Sequence, residues 1–200
     1  MNIPTDIFDQ AKYTDRHIAP KSTALTQRSA GSSVPPMPLD ADFVADCPYA
    51  PEGLFIDHIV SVDREGAGKL VARAPTHEGL PLTSAQRVHP ERHPRHVAGG
   101  LLVHLTGIAG FAHAYYVLDL RHAEGWIGYG ARIHSARFHA LATVGPPLEI
   151  ECTGTQLRRG ASRYLVRYGF RFTQQGTLVY EGDQTAMFMR VGAAAEAIIA

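Results

Sequence analysis

Five histidines fall between residues 89 and 118, at His89, His93, His96, His104 and His113. The first three crowd a loop that also holds Pro90 and Pro94, and the last two lie inside an almost wholly apolar run. An imidazole changes charge near neutral pH, so it can move protons or, when neutral, bind a metal. Rings of this kind at the mouth of a buried helix must be solvated, paired or put to use. The spacing His89-x3-His93-x2-His96 suggests zinc. Pro90 and Pro94, however, prevent one helix from aligning the three rings, and neither a cysteine nor an obvious fourth ligand stands nearby. No metal and no cofactor are expected.

Gly99 and Gly100 follow directly. The first N–H groups of a helix lack intrahelical partners, and glycine lets an acceptor approach them closely. Such a pair could stabilise a developing oxyanion. The plainer alternative is that the glycines only allow tight packing of helix on sheet. His104 lies four residues after Gly100 and three before Gly107, on one helical stripe of small residues. It could project into a cavity, or it could be a core histidine satisfied by a backbone carbonyl. His93 and His113 read as structural, and His134 and His139 as strand residues.

These groups need elements to hold them. Residues 97–118 form one long apolar helix, closing near Asp119–His122 with Gly125 as the break. Before it, Leu54–Val62 and Lys69–Ala74 read as a strand hairpin around Asp63-Arg-Glu-Gly66, and 75–96 as loop. After it come Trp126–Ala140, Leu148–Leu157, a strand alternating Tyr164, Val166, Tyr168, Phe170 and Phe172 with a cationic side, and Leu178–Met189. One helix and one large antiparallel sheet bury each other best when the sheet curls around the helix, an α+β layout. The stretch 20–39 is rich in Pro, Ser, Thr and Gly without a period. The expected organisation is an N-terminal extension and linker over 1–47, one domain over 48–192 and a tail over 193–200.

Composition narrows the function classes. Lys+Arg and Asp+Glu are 19 each, so the formal net charge is zero, and no basic footprint for nucleic acid is present. A chain without net charge fits one that buries surface in an oligomer. The hydrophobic fraction of 45% supports a real core. Cys47 and Cys152 lack the spacing of a redox motif or a disulfide framework, which points to reduced thiols in the cytoplasm. The polar N-terminus shows no secretory apolar stretch. Residues 97–118 approach a membrane span in length, but two histidines and four glycines interrupt them, so no span is expected.

The order and spacing of several segments resemble the hotdog fold, in particular its β-hydroxyacyl-thioester dehydratase and acyl thioesterase branches. LFIDHIVSVD (54–63) is similar to the opening strand, with Asp57 in the place of a characteristic Asp. HPERHP (89–94) resembles the His-Phe-Pro-x-x-Pro loop, and Gly99-Gly100-Leu-Leu stands where the central helix begins. ARFHALATVGPPLEI (136–150) is similar to the later strand pair, whose Lys/Arg-Phe places Arg137 among the substrate contacts. His96-Val-Ala-Gly99-Gly100 approximates the His-Gly-Gly-like helix start of thioesterases. The likeness covers roughly residues 50–190. Where the dehydratases carry an acid, five residues after the glycine, this chain has His104, and Leu101–Leu118 contains no carboxylate.

The resemblance implies a single hotdog domain, commonly a homodimer, acting on acyl-CoA or an acyl carrier protein. Three functions follow from it. In a thioesterase, His96 or His104 positions the water and the Gly99–Gly100 amides hold the oxyanion. In a dehydratase or hydratase, His89 is the base and His104 replaces the acid. In a non-catalytic protein, the site only binds an acyl thioester or lipid. Arg158, Arg159, Arg163, Arg167 and Arg171 either receive carrier phosphates or acidic groups, or form a solvated strand face.

Overall fold

A computed structural model describes residues 37–191. Most of the expected extension and all of the expected tail lie outside the described residues. Seven strands form one antiparallel sheet in the order β1-β2-β3-β5-β6-β7-β4. They are β1 (Met37–Pro38), β2 (His58–Asp63), β3 (Lys69–Ala74), β4 (Trp126–Phe138), β5 (Leu148–Arg159), β6 (Arg163–Gln174) and β7 (Thr177–Arg190). Helices α1 (Ala41–Asp46) and α2 (Pro51–Leu54) precede β2, and the long α3 (Gly99–Tyr116) crosses from β3 to the far edge strand β4.

The alternation seen in the sequence sets the two faces of the sheet. Val166, Tyr168, Phe170 and Phe172 of β6, with Leu148, Ile150 and Cys152 of β5, are buried on the concave face. Leu101, Leu102, Leu105, Ile108, Ala109 and Ala112 of α3 belong to the same core. No described helix is long and apolar enough to cross a membrane. On the outer face, Arg167 clasps Asp183 through two hydrogen bonds of 2.9 and 2.6 Å, and Arg171 lies 3.6 Å from Glu181. Those two arginines are therefore held by acids of β7.

Two local readings change. Residues 54–57 do not extend the first strand. Pro51 opens α2 in the first helical turn, where its missing N–H costs nothing, and Phe55 closes it at φ 52°, so β2 starts only at His58. Asp57 then receives Arg73 in a bidentate pair of 3.0 and 2.8 Å. Burial works to raise the Asp57 pKa, but Arg73 and His58 outweigh it and hold the carboxyl low. Residues 37–47, assigned by composition to the extension, also contain fixed structure. Asp40 caps α1 by accepting from the Phe43 N–H at 2.6 Å, Phe43 is 1% exposed, and the Asp46 carboxylate accepts from the His122 and Ala123 amides.

His113 sits at the centre of this core with 0% exposure. Its Nδ1 lies 3.3 Å from the Tyr168 hydroxyl, while Nε2 has no hydrogen bond of good geometry. Burial lowers its pKa to about 4, against a weaker upward pull from the Gly68 and Ala67 backbone. An unfolded histidine titrates near 6.5, so between these values the unfolded chain binds a proton that the folded chain refuses. Stability is therefore fully present above about pH 6.5 and falls as the pH drops towards 4, by up to about 3 kcal/mol. Chemical unfolding at pH 7.5 and 5 should show this loss in the wild type and much less of it in His113→Leu. An equal loss in both would assign the acid sensitivity elsewhere.

Candidate active site at the mouth of the central helix

The loop before α3 is tied down by polar groups from several elements. Gln86 grips the His96 backbone from both sides, its Nε2 donating to the carbonyl at 3.0 Å and its Oε1 accepting from the N–H at 3.2 Å. Thr83, fully buried, accepts from Ala98 N–H at 3.1 Å through its hydroxyl and from Arg95 through its carbonyl at 2.9 Å. Val97 N–H donates to Ala142, and Gln174 fixes the 143–146 turn with bonds to Thr143 and Pro146. The chain thus enters α3 at a fixed angle.

Ala98 occupies the N-cap position in an extended conformation and has no side-chain acceptor to offer. Leu101 and Leu102 N–H both turn back to the Ala98 carbonyl, whereas Gly99 and Gly100 N–H have no partner among the described residues. No acid lies in the first turn, so the positive end of an eighteen-residue helix is left uncompensated. Two exposed apolar side chains form the lips of this mouth. A Cβ on Gly99 would lie 3.1 Å from the Phe138 ring, and one on Gly100 would lie 3.2 Å from Leu82. Phe138 is 56% and Leu82 59% exposed. Leu82 also sits at φ 63°, a strained conformation for its type and the kind often found at functional sites.

The candidate histidines part company here. The Nδ1 of His96 lies 2.8 Å from the Pro94 carbonyl, which fixes the proton on that nitrogen and leaves the Nε2 lone pair without a partner. His89 is held in its own turn, with Nδ1 accepting from the Glu91 and Arg92 N–H groups and Arg92 reaching Nε2 at 3.0 Å. His93 packs edge-on against His96 at 5.1 Å. Among the described residues, no group of His, Cys, Asp or Glu is arranged to hold a metal ion. His104 donates from Nε2 to the Gly53 carbonyl at 2.8 Å and is flanked edge-on by Tyr49 and Phe55. That is the arrangement of a satisfied, half-buried histidine. No hydrogen bond or ring contact joins it to His96 or His89.

Arg137 does not reach the mouth. It pairs in register with Glu181, while its neighbour Phe138 pairs with Tyr180 and points to the concave face. Successive strand residues face opposite sides, so Arg137 lies on the outer surface with Glu181 and Arg171. The sequence reading missed Leu82, Thr83 and Gln86, which carry no motif of their own and gain their roles only through contacts distant in the chain, and it named Phe138 only as the neighbour of Arg137 in the Arg-Phe pair.

A cavity of about 310 Å³ lies towards the other end of α3 and is lined by rings that include Phe43, Phe111, Trp126 and Phe188.

No protein-family model and no curated protein matches the sequence. Solved structures do match. The dehydratase heterocomplex ApeI:P from Xenorhabdus doucetiae aligns over 80% of this chain and 98% of its own, with a TM-score of 0.53 at 11% identity. Zebrafish thioesterase superfamily member 2 aligns over 75% and 93%, with a TM-score of 0.49 at 17% identity. The Escherichia coli PaaI protein, from the phenylacetic acid degradation operon, aligns over 68% and 84%, with a TM-score of 0.44 at 20% identity. At such identities the likeness is one of fold. A single antiparallel sheet wrapped around one long helix is the α+β hotdog fold that the sequence resemblance implied.

Proposed function

We propose that this chain hydrolyses an acyl thioester carried on coenzyme A or an acyl carrier protein, at the mouth of α3. The observation that carries this reading is the pair of unpartnered amides at Gly99 and Gly100, three and four residues after a histidine with a free Nε2. The two N–H groups receive the thioester carbonyl oxygen and stabilise it as it gains negative charge. His96 Nε2 takes a proton from a water molecule as the water oxygen bonds to the carbonyl carbon. The tetrahedral intermediate then expels the sulfur, the C–S bond breaks, and the proton passes from His96 to the departing thiolate. The free carboxylic acid and free thiol leave. Phe138 and Leu82 flank the amides with apolar surface, which strengthens a hydrogen bond made between them.

Mass spectrometry of products from mixed saturated, 2-enoyl and 3-hydroxyacyl thioesters tests this. Free acid and thiol support hydrolysis, whereas an 18-dalton exchange between enoyl and hydroxyacyl forms replaces it with a dehydratase. Unchanged substrates would favour a binding protein, a reading to which the lack of a carboxylate along α3 lends weight.

The working form is a homodimer in the cytoplasm. Support for the dimer comes from β4, a thirteen-residue edge strand with one unpaired side and exposed Tyr129, Ile133 and Phe138. A long apolar edge left open is an aggregation hazard, and pairing with a second copy removes it. The unpaired thiols of Cys47 and Cys152 suit a reducing compartment. Light scattering should give twice the 21.8 kDa chain mass, and Ile133→Lys should return the protein to one chain mass. A wild type that is monomeric at micromolar concentration would contradict the dimer.

A further inference from the structure

Beyond the mouth, the concave face holds a second polar feature that the hydrolytic step does not use. Tyr180 is 0% exposed, and its hydroxyl has no hydrogen-bond partner. Buried hydroxyls are almost always satisfied, so an orphan in a native core needs an occupant or a reason. Its ring packs against Phe172 at 5.0 Å and under Phe138 at 5.3 Å, the same Phe138 that abuts Gly99. From there the phenol leans along β7 across Gly182, where a Cβ would lie only 2.8 Å from the hydroxyl oxygen. Glycine at 182 is thus what gives this hydroxyl its place.

The next residue on that face is Gln184. Its Nε2 donates to the Thr106 hydroxyl of α3 at 2.8 Å, and Thr106 lies 2.7 Å from the Val103 carbonyl. Thr106 has one proton to give. When Val103 takes it, the Oε1 of Gln184, 3.1 Å from the same hydroxyl, is left without a donor. Alternate residues of a strand share a face, so Tyr180 and Gln184 flank Gly182 there, and the phenol that leans over Gly182 extends towards the Gln184 amide. A phenol O–H and an amide oxygen therefore lie close together on the concave face, with only Gly182 beneath the phenol. Across the ladder, Gly182 pairs with Ala136 of β4 on one side and with the buried Phe170 of β6 on the other, so the β4 side carries no large side chain there.

We infer that the Tyr180 hydroxyl and the Gln184 amide, with Thr106 holding the amide in place, bind an oxygen substituent part-way along the acyl chain. This rests on the hydrolytic reading, and it narrows the substrate class to acyl groups bearing a hydroxyl or oxo group several carbons beyond the thioester. The spacing sets that position. Thr106 lies seven residues past Gly99, about 10 Å along the helix axis. A chain whose carbonyl rests on the Gly99 and Gly100 amides and whose tail passes beneath Phe138 reaches the Tyr180 hydroxyl with its middle carbons. A site built to hydrogen-bond a substrate oxygen also discriminates strongly against the analogue that lacks it, because its own buried groups are then left unpaired.

The test uses the full chain and non-hydrolysable acyl-CoA ketone analogues of equal length, one saturated and the others hydroxylated at successive carbons. Dissociation constants are measured by calorimetry for the wild type and Tyr180→Phe. The wild type should bind the best-placed hydroxylated analogue at least about tenfold more tightly than the saturated one. Tyr180→Phe should abolish that preference, leave the affinity for the saturated analogue unchanged and keep or raise Tm. A wild type without preference at any carbon overturns the inference, as does a Tyr180→Phe variant that keeps the preference or weakens both analogues alike. In those cases hydrolysis at the mouth still stands on its products. If no analogue binds at all, the acyl-thioester reading fails and this inference with it.

Discussion

Replacing His96 with alanine is expected to lower turnover of an acyl thioester by about 10²- to 10⁴-fold, the range set by loss of a positioned general base. Affinity for a non-hydrolysable analogue and the unfolding temperature should hold. The reason lies in how the residue is anchored. Gln86 binds the His96 backbone rather than the ring, and the bridge to Thr143 is also a main-chain contact, so both survive the substitution. The ring is lost together with its bond to the Pro94 carbonyl and its edge-on contact with the exposed His93. The matching changes at His89 and His104 should have smaller effects on turnover. His89 would loosen its own turn, and His104→Ala would release the Gly53 carbonyl and the Tyr49–Phe55 packing, a loss read as lower stability. Steady-state kinetics beside calorimetric binding separates these outcomes. Unchanged turnover in His96→Ala would remove it from the mechanism.

The second large effect concerns a backbone atom, which side-chain truncation cannot reach. Gly99→Pro deletes one of the two free N–H groups and should cost about 10²-fold or more in kcat, the usual consequence of losing an oxyanion donor. The position tolerates proline. Gly99 is the first helical residue, where the N–H makes no intrahelical bond, and Ala98 already has ψ 134°, the extended state that a following proline requires. The added ring meets Phe138, which is exposed enough to move aside. Gly99→Ala supplies the control, since it adds the Cβ but keeps the N–H. The alanine variant should retain most of the activity that the proline variant loses. Equal losses in the two would make crowding by Phe138, not the amide, the cause.

Much of this architecture was legible in the sequence. The period-two pattern of Tyr164–Phe172 and the apolar run after Gly99 directly encode which surfaces meet, so the sheet and its helix follow from hydrophobic patterning. The strand start at 54–57 differs from the sequence expectation because Leu54, Phe55 and Ile56 are apolar without being extended, and Pro51 together with a left-handed Phe55 decides their conformation. The face of Arg137 was hidden for another reason. Its place among substrate contacts rests on the likeness to a Lys/Arg-Phe pair, and such a likeness does not say which face of β4 the arginine takes, whereas its pairing with Glu181 does.

For the candidate site, residue types were legible and orientations were not. Gly99 and Gly100 announced themselves as a helix start, but whether a cap covers their amides depends on residue 98 and its surroundings. The proton position on His96 depends on the Pro94 carbonyl and on a backbone clamped by Gln86. The stripe of His104 left open a ring in a cavity or a ring satisfied by a backbone carbonyl, and the carbonyl that receives it, Gly53, lies 51 residues away. Tyr180, Gln184 and Thr106 join residues as much as 78 positions apart, and no local pattern announces such a meeting.

The most direct test of the central claim is the crystal structure of this protein bound to a non-hydrolysable acyl thioester analogue. The account predicts the carbonyl oxygen about 3 Å from Gly99 or Gly100 nitrogen, between Phe138 and Leu82, with a water or its stand-in within reach of His96 Nε2. An analogue whose carbonyl lies away from those amides, for instance inside the ring-lined cavity beside Trp126, would contradict it.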